Sequence, residues 1–189
     1  MCDNFLDTVD FNELVSIAKS VECGPVDKVF FSHKINKREI LESTLFKEDF
    51  LKHLYWTYAP KLLNWLQLQR AWKAWFYDYA DISLQLSGGL YQDKIHLDVP
   101  RKLISGVCYL QSGLTGVGTL LYNKFGSTES EIEVPWVDNR MMVFSRSESS
   151  YHSYRGNGRD VRVTLVYNLC SNRHRLIRIL DKFQHAFGK

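Results

Sequence analysis

Leu103-Ile104-Ser105-Gly106-Val107-Cys108-Tyr109-Leu110 is a short apolar run that reads as a buried strand. On either side of it the chain repeats the same texture. Ile82 to Leu86 alternates and ends in a Ser87-Gly88-Gly89 turn, and Thr119–Tyr122, Glu131–Val134, Met141–Phe144 and Val161–Leu169 follow as further short runs. That spacing suits a β-sandwich or barrel. Upstream the texture is helical. Asp10-Phe11-Asn12-Glu13 opens a short amphipathic helix, and from Lys37 to about Ala80 apolar residues recur at helical spacings, with Pro60 expected to break or kink the run. Val29-Phe30-Phe31 reads as an early strand. After Asn172, Leu176, Ile177, Ile179, Leu180, Phe183 and Phe187 form an amphipathic terminal helix among basic residues, expected to dock on the same core. The economical architecture is α+β, a jelly roll with helices packed beside it. One domain is expected over 1–189, with 1–80 mainly helical support, 81–170 the jelly-roll core and 171–189 the C-terminal helix.

A chain of 189 residues with 45% hydrophobic and 14% aromatic residues can fill one such core. The eight aromatic residues from Trp56 to Tyr79 are interleaved with leucines, and read as packing rather than as a base-stacking platform. A net charge of +3 falls short of a dense basic stripe, so no nucleic-acid partner is expected. Met1–Asp10 does not read as a secretory n-region and h-region and no apolar run reaches membrane-spanning length, so neither a leader nor a membrane partner is expected. Cys2, Cys23, Cys108 and Cys170 are widely spaced without a CxxC pair, as for reduced thiols in a cytoplasmic protein.

His96-Leu97-Asp98 is the sharpest chemical feature. On a strand, residues i and i+2 project from one face, so imidazole and carboxylate can converge on one ion. A third ligand must come from downstream, where His152, His174, His185 and Glu148 are the candidates. His174 and His185 sit on the basic terminal helix. His152 follows the Met141–Phe144 strand and a polar turn, and a jelly roll can bring it beside His96 and Asp98. Two histidines and one carboxylate leave positions open on the metal, which suits non-heme Fe(II). A closed structural zinc site would recruit thiolates, and only Cys108 lies in a neighbouring strand.

His96-Leu97-Asp98, Tyr109-Leu110-Gln111, Gly118-Thr119-Leu120, Val134-Pro135, Asn139 to Phe144, His152 and Arg162-Val163-Thr164 stand in the order of the landmarks of the Fe(II)/2-oxoglutarate-dependent dioxygenases. Over 81–169 the sequence resembles that superfamily, most closely its prolyl-hydroxylase-like branch. The resemblance implies a double-stranded β-helix in which His96, Asp98 and His152 hold Fe(II). It implies that Arg162 grips the far carboxylate of 2-oxoglutarate, with Thr164 on the same face and Tyr109 as a further hydrogen-bond donor. Arg suits that task because its planar fork pairs with a carboxylate and keeps its proton. Arg155 and Arg159 compete for the role but lie in or beside the Gly156-Asn157-Gly158 turn. Two positions depart from the family. Leu84, Gln85 and Leu86 stand where some relatives place a tyrosine before the HxD histidine, and Asn168 stands near the position of a frequent tryptophan.

The activity so implied is hydroxylation of a C–H bond in a small-molecule substrate (an amino acid, sugar or nucleotide derivative), consuming O2 and 2-oxoglutarate and releasing succinate and CO2. Retention of Asp98 favours hydroxylation over halogenation. The competing readings are a hydroxylase of protein side chains, a non-catalytic ligand-binding jelly roll, and a zinc hydrolase. Tyr91, Gln92, Trp136, Arg146, Glu148, Tyr151 and Tyr154 flank the expected ligands and could reach substrate.

Overall fold

A computed structural model describes residues 1–111 and 117–187. In chain order the elements are α1 (Thr8–Lys19), β1 (Lys28–Ile35), β2 (Ile40–Glu42), α2 (Glu48–Ala74), β3 (Tyr79–Ser87), β4 (Lys102–Tyr109), β5 (Val117–Tyr122), β6 (Ile132–Pro135), β7 (Met141–Ser145), β8 (Tyr151–Ser153), β9 (Arg162–Cys170) and α3 (His174–Phe187). Six strands form one antiparallel sheet in the order β2-β1-β3-β9-β4-β7, and three form a second in the order β6-β5-β8. The chain has the α+β jelly-roll architecture.

β9 explains how the sheet serves two purposes. It is paired on both edges, by β3 and β4, and buried along its whole length. Its alternate residues Val163, Leu165, Tyr167 and Leu169 face the helical layer, where they join Leu54, Tyr58, Leu62 and Leu66 of α2 in the main core. Each such buried aliphatic side chain contributes about 1.5–3 kcal/mol. Arg162, Thr164 and Val166, on the opposite face, line a cavity between the sheets. Nearby, Tyr109, Met142 and Val134 form a smaller apolar cluster with Val107, Leu121, Trp136 and Phe144. It joins the two sheets, since these residues come from both.

Three helical expectations are corrected. The run read as helix from Lys37 begins instead with β2, because Asn36 accepts from the backbone N–H groups of Arg38 and Glu39 and turns β1 into a hairpin. Pro60 does not break α2. It lies on the exposed side, as does Trp56 one turn before it, so the carbonyl it leaves unpaired is on the solvent side. The break falls at Arg70, at φ −152° and ψ 69°. Of the aromatic stretch, Tyr55 and Tyr58 pack in the core, but Trp56 and Trp75 are exposed. α3 docks through Ile177 and Asp181, while its other apolar residues Leu176, Ile179 and Phe183 face outward.

Residues 1–80 hold α1 and α2 and also β1 and β2, which extend the large sheet beyond β3. At the other edge of that sheet Cys2 exchanges backbone hydrogen bonds with Met141 at 2.9 and 2.8 Å, which covers β7. Among the described residues no helix is long and apolar enough to cross a membrane.

Candidate metal centre

His96 and Asp98 do not lie on a strand, contrary to the sequence reading. His96 makes a single antiparallel bridge to His152 of β8, and Asp98 sits in irregular chain just before β4. The i, i+2 argument therefore does not account for their convergence. Two backbone bonds do: each histidine N–H donates to the other's carbonyl at 3.0 Å, bringing the ring centroids to 4.4 Å. The ligand atoms of His96, Asp98 and His152 all lie within 4.8 Å of one another.

Both imidazoles are fixed in the same way. Nδ1 of His96 faces the Lys94 carbonyl at 2.8 Å, and Nδ1 of His152 faces the Ser150 carbonyl at 3.0 Å. A carbonyl only accepts, so each Nδ1 carries a proton, and the neutral ring so oriented leaves Nε2 with its lone pair for an ion. Burial lowers the pKa of His152, against the pull of Asp98, and so favours its neutral, ligating form. The Phe144 ring, 4.8 Å from that of His152, supplies an apolar wall.

Asp98 is held by two donors, Lys102 Nζ at 2.6 Å and Ser105 Oγ at 2.5 Å. Burial works to raise its carboxyl, but the charge of Lys102, with these hydrogen bonds, outweighs it and keeps the group below the usual carboxylate range. Two imidazole nitrogens and one carboxylate oxygen form a donor set suited to a borderline divalent metal.

The same cavity, of about 130 Å³, contains Arg162 and Thr164. Arg162 is buried; its Nη2 donates to Thr119 Oγ1 at 3.2 Å, and its guanidinium lies 4.0 Å from the Tyr154 ring centroid. Its Nε has no hydrogen-bond partner, and among the described residues Arg162 forms no ion pair with a carboxylate. Burial lowers its pKa, partly offset by Tyr109 and Tyr154. A buried guanidinium with a vacant donor costs free energy until an anion meets it.

Tyr109 donates from its hydroxyl to Thr119 Oγ1 at 3.0 Å and stacks on Trp136 at 4.4 Å. Its hydroxyl reaches Thr119 because Gly118 has no side chain: a Cβ there would lie 2.5 Å from the Tyr109 Oη. Tyr109, Thr119 and Arg162 thus form one connected chain of polar groups. Tyr109 acts on the cavity through Thr119, since it is not among the lining residues.

The other candidates fall elsewhere. Arg155 and Arg159 are exposed, as is His174, and the side chain of His185 lies outside the described residues. Glu148 pairs with Arg146 at 2.8 Å, in a buried network that also contains Asp181 and Lys73. Cys108 is buried and its thiol pushed up by burial, and no cysteine joins the metal-competent cluster. Of the flanking residues only Tyr154 lines the cavity. Lys102, Ser105, Lys28 and Asp93 were not anticipated, although Ser105 could have been found as a polar residue inside the apolar run 103–110. Gln85 also lies outside the expected set; it pairs in register with Thr164 and lines the cavity. A second group, Asp7, Asp10 and His53, has geometry for an ion, but it ties α1 down: Asp7 caps the helix, and Asp10 accepts from Tyr58 at 2.5 Å and contacts His53 at 3.0 Å.

No family model matches the chain, and no curated protein matches it either. Solved structures do. The chain is similar to a Pseudomonas putida prolyl-4-hydroxylase, with 17% identity, 90% of this chain and 91% of that chain covered, and a TM-score of 0.60. The fold is shared. A 2OG-Fe(II) oxygenase-family oxidoreductase from Burkholderia pseudomallei is similar at 14% identity, with 92% and 86% covered and a TM-score of 0.59. A Trichoplax adhaerens prolyl hydroxylase, solved with a hypoxia-inducible-factor peptide, is similar at 12% identity, with 93% and 84% covered and a TM-score of 0.54. At these identities the likeness concerns architecture, and the chemistry rests on the side chains described above.

Proposed function

We propose that the chain works as one oxygenase domain, a non-heme Fe(II)- and 2-oxoglutarate-dependent dioxygenase that hydroxylates a C–H bond of a small metabolite in the cytoplasm. The observation that carries this reading is a single cavity holding both a two-histidine, one-carboxylate cluster and a buried guanidinium without an acidic partner. His96 and His152 would hold the iron through Nε2, and Asp98 through a carboxylate oxygen. Arg162 and Thr164 would hold the distal carboxylate of 2-oxoglutarate, with Tyr109 orienting Thr119. When bound, iron and co-substrate supply the oxidising chemistry, at the expense of O2 and with succinate and CO2 released.

The chain's own residues orient and exclude. The carbonyls of Lys94 and Ser150 fix the imidazole tautomers, while Lys102 and Ser105 keep Asp98 ionised and aimed. Val107, Phe144 and Val166 line the cavity with apolar surface and limit water. Beside it lies an open groove of about 540 Å³, which shares Asp93, Ser153 and Tyr154 with the cavity and adds Gln92, Tyr122 and Arg155. Its size and mixed polarity suit a metabolite. The four free cysteines fit a reducing compartment.

The test is O2-dependent conversion of 2-oxoglutarate to succinate by Fe(II)-loaded protein, screened against a metabolite library. At least one compound should stimulate succinate formation and gain a hydroxyl, and His152→Ala should abolish both. Equal succinate formation by His152→Ala would refute the site.

A further inference from the structure

The outer face of α3 is apolar and cationic, and it continues onto the end of α2. Leu176, Ile179 and Phe183 are 46%, 52% and 58% exposed, at the i, i+3, i+7 spacing that aligns side chains along one side of a helix. Trp75 is 83% exposed, and Trp72, Trp75, Phe76, Leu180 and Phe183 line one shallow groove between the two helices. Arg175, Arg178 and Lys182, all exposed, repeat the same spacing one position away. The cations therefore form a stripe running beside the apolar one. Contiguous apolar surface of this kind marks a contact site rather than ordinary scatter.

Charge decides among the possible occupants. Asp181 is the only acidic residue between His174 and Phe187, and it is turned inward, where it pairs with Lys73 at 2.8 Å and Arg146 at 3.0 Å. The outward face of α3 thus offers no carboxylate to Arg175, Arg178 or Lys182 of a second copy, as a two-fold contact between identical helix faces would need. A surface that is itself anionic and has an apolar interior meets both stripes at once. Indole rings also favour the boundary between headgroups and acyl chains. We propose that α3 and the Trp72–Phe76 end of α2 dock this protein on an anionic lipid surface, with Trp75, Ile179 and Phe183 entering the headgroup boundary. The sequence alone favoured burial of this helix on the core and no membrane partner; the outward apolar stripe is what changes that reading. The proposal does not depend on the metal chemistry.

The experiment is co-sedimentation of the full chain with phosphatidylcholine vesicles and with mixed phosphatidylcholine–phosphatidylserine vesicles, at low and high salt. Binding is expected to the anionic vesicles only and to weaken with salt. Each cation near such a surface is worth about five-fold in partitioning, so Arg175→Gln with Arg178→Gln should bind roughly thirty-fold more weakly. Ile179→Ser with Phe183→Ser should also lose binding. All these positions are exposed, and an unchanged melting temperature would show that the fold is kept. Failure to bind anionic vesicles, or equal binding by the Arg175→Gln, Arg178→Gln variant, overturns the proposal. Binding to polyglutamate without binding to vesicles overturns it in favour of an acidic polypeptide. A dimer that Phe183→Ser abolishes, again without vesicle binding, overturns it in favour of a second copy.

Discussion

Gly118→Ala probes the polar chain behind Arg162 without touching a proposed ligand. A Cβ at position 118 would stand 2.5 Å from both Cζ and Oη of Tyr109 and 2.8 Å from Cε2. Carbon atoms at rest sit about 3.5–4.0 Å apart, so the ring must retreat by roughly 1 Å. Retreat is obstructed, because the Tyr109 ring is buried and stacked at 4.4 Å and 21° on Trp136. Overpacking of this kind costs about 1–3 kcal/mol, and in a chain of this size each kcal/mol lowers the melting temperature by about 2–4 °C. A loss of roughly 2–12 °C is expected in thermal denaturation. The second consequence is local. Moving Tyr109 strains its 3.0 Å bond to Thr119, the same oxygen that accepts from Arg162. Losing one such bond is worth about 1 kcal/mol, or about five-fold in affinity, so 2-oxoglutarate should bind Co(II)-loaded Gly118→Ala about five-fold more weakly. Tyr109→Leu removes the clashing atoms, and the Gly118→Ala penalty should shrink in that background. An unchanged melting temperature and unchanged affinity in Gly118→Ala would refute the proposed dependence of Arg162 on Tyr109.

Removing a charge from the buried Lys73–Asp181–Arg146 network should be costly: Asp181→Asn leaves two cations under-compensated, and urea unfolding should show a loss of about 3–5 kcal/mol. His33 should give the fold an acid-sensitive component. Burial depresses it from 6.5 to about 4, and its Nδ1 accepts from the Thr44 N–H at 3.2 Å, so protonation would break that bond. Because the folded pKa lies below the unfolded one, stability should fall by roughly 3 kcal/mol as pH drops from 6.5 towards 4, and His33→Gln should flatten that part of the profile. Lys102→Met removes the cation that helps keep the Asp98 carboxyl low. Co(II) should then bind more tightly at neutral pH, and its loss on acidification should begin at a higher pH, as followed by visible absorption.

The strands of the jelly roll were legible because the large sheet is covered on both faces, which turns β4 and β9 into continuous apolar runs with few polar interruptions. Of those interruptions, Ser105, Arg162 and Thr164 line the cavity, whereas the buried Asn168 of β9 does not. The β1–β2 hairpin was less legible, since Ile40, Leu41 and Leu45 happen to fall at helical spacing and the turn depends on one Asn36 side chain. Helix α2 misled at Pro60 because exposure there, not the identity of the residue, decides whether a missing N–H matters. At the site, the HxD pattern and His152 are brought together, but not by the strand periodicity read from the sequence: His96 meets His152 through a two-bond bridge between distant segments, which no local period encodes. Lys102 and Ser105 were missed because their role arises only when the loop bearing Asp98 folds back on β4.

Anaerobic addition of Fe(II) and 2-oxoglutarate to the apo-protein tests the central claim most directly. The account predicts a visible metal-to-ligand charge-transfer band with wild type, its loss in His96→Ala and Asp98→Ala, and in Arg162→Ala a band that appears only at much higher 2-oxoglutarate while iron binding persists. Truncating a buried charge of this kind costs about 2–5 kcal/mol, so the shift for Arg162→Ala should be at least about 30-fold. A band of equal strength in His96→Ala and Asp98→Ala, or no band in wild type, would contradict it.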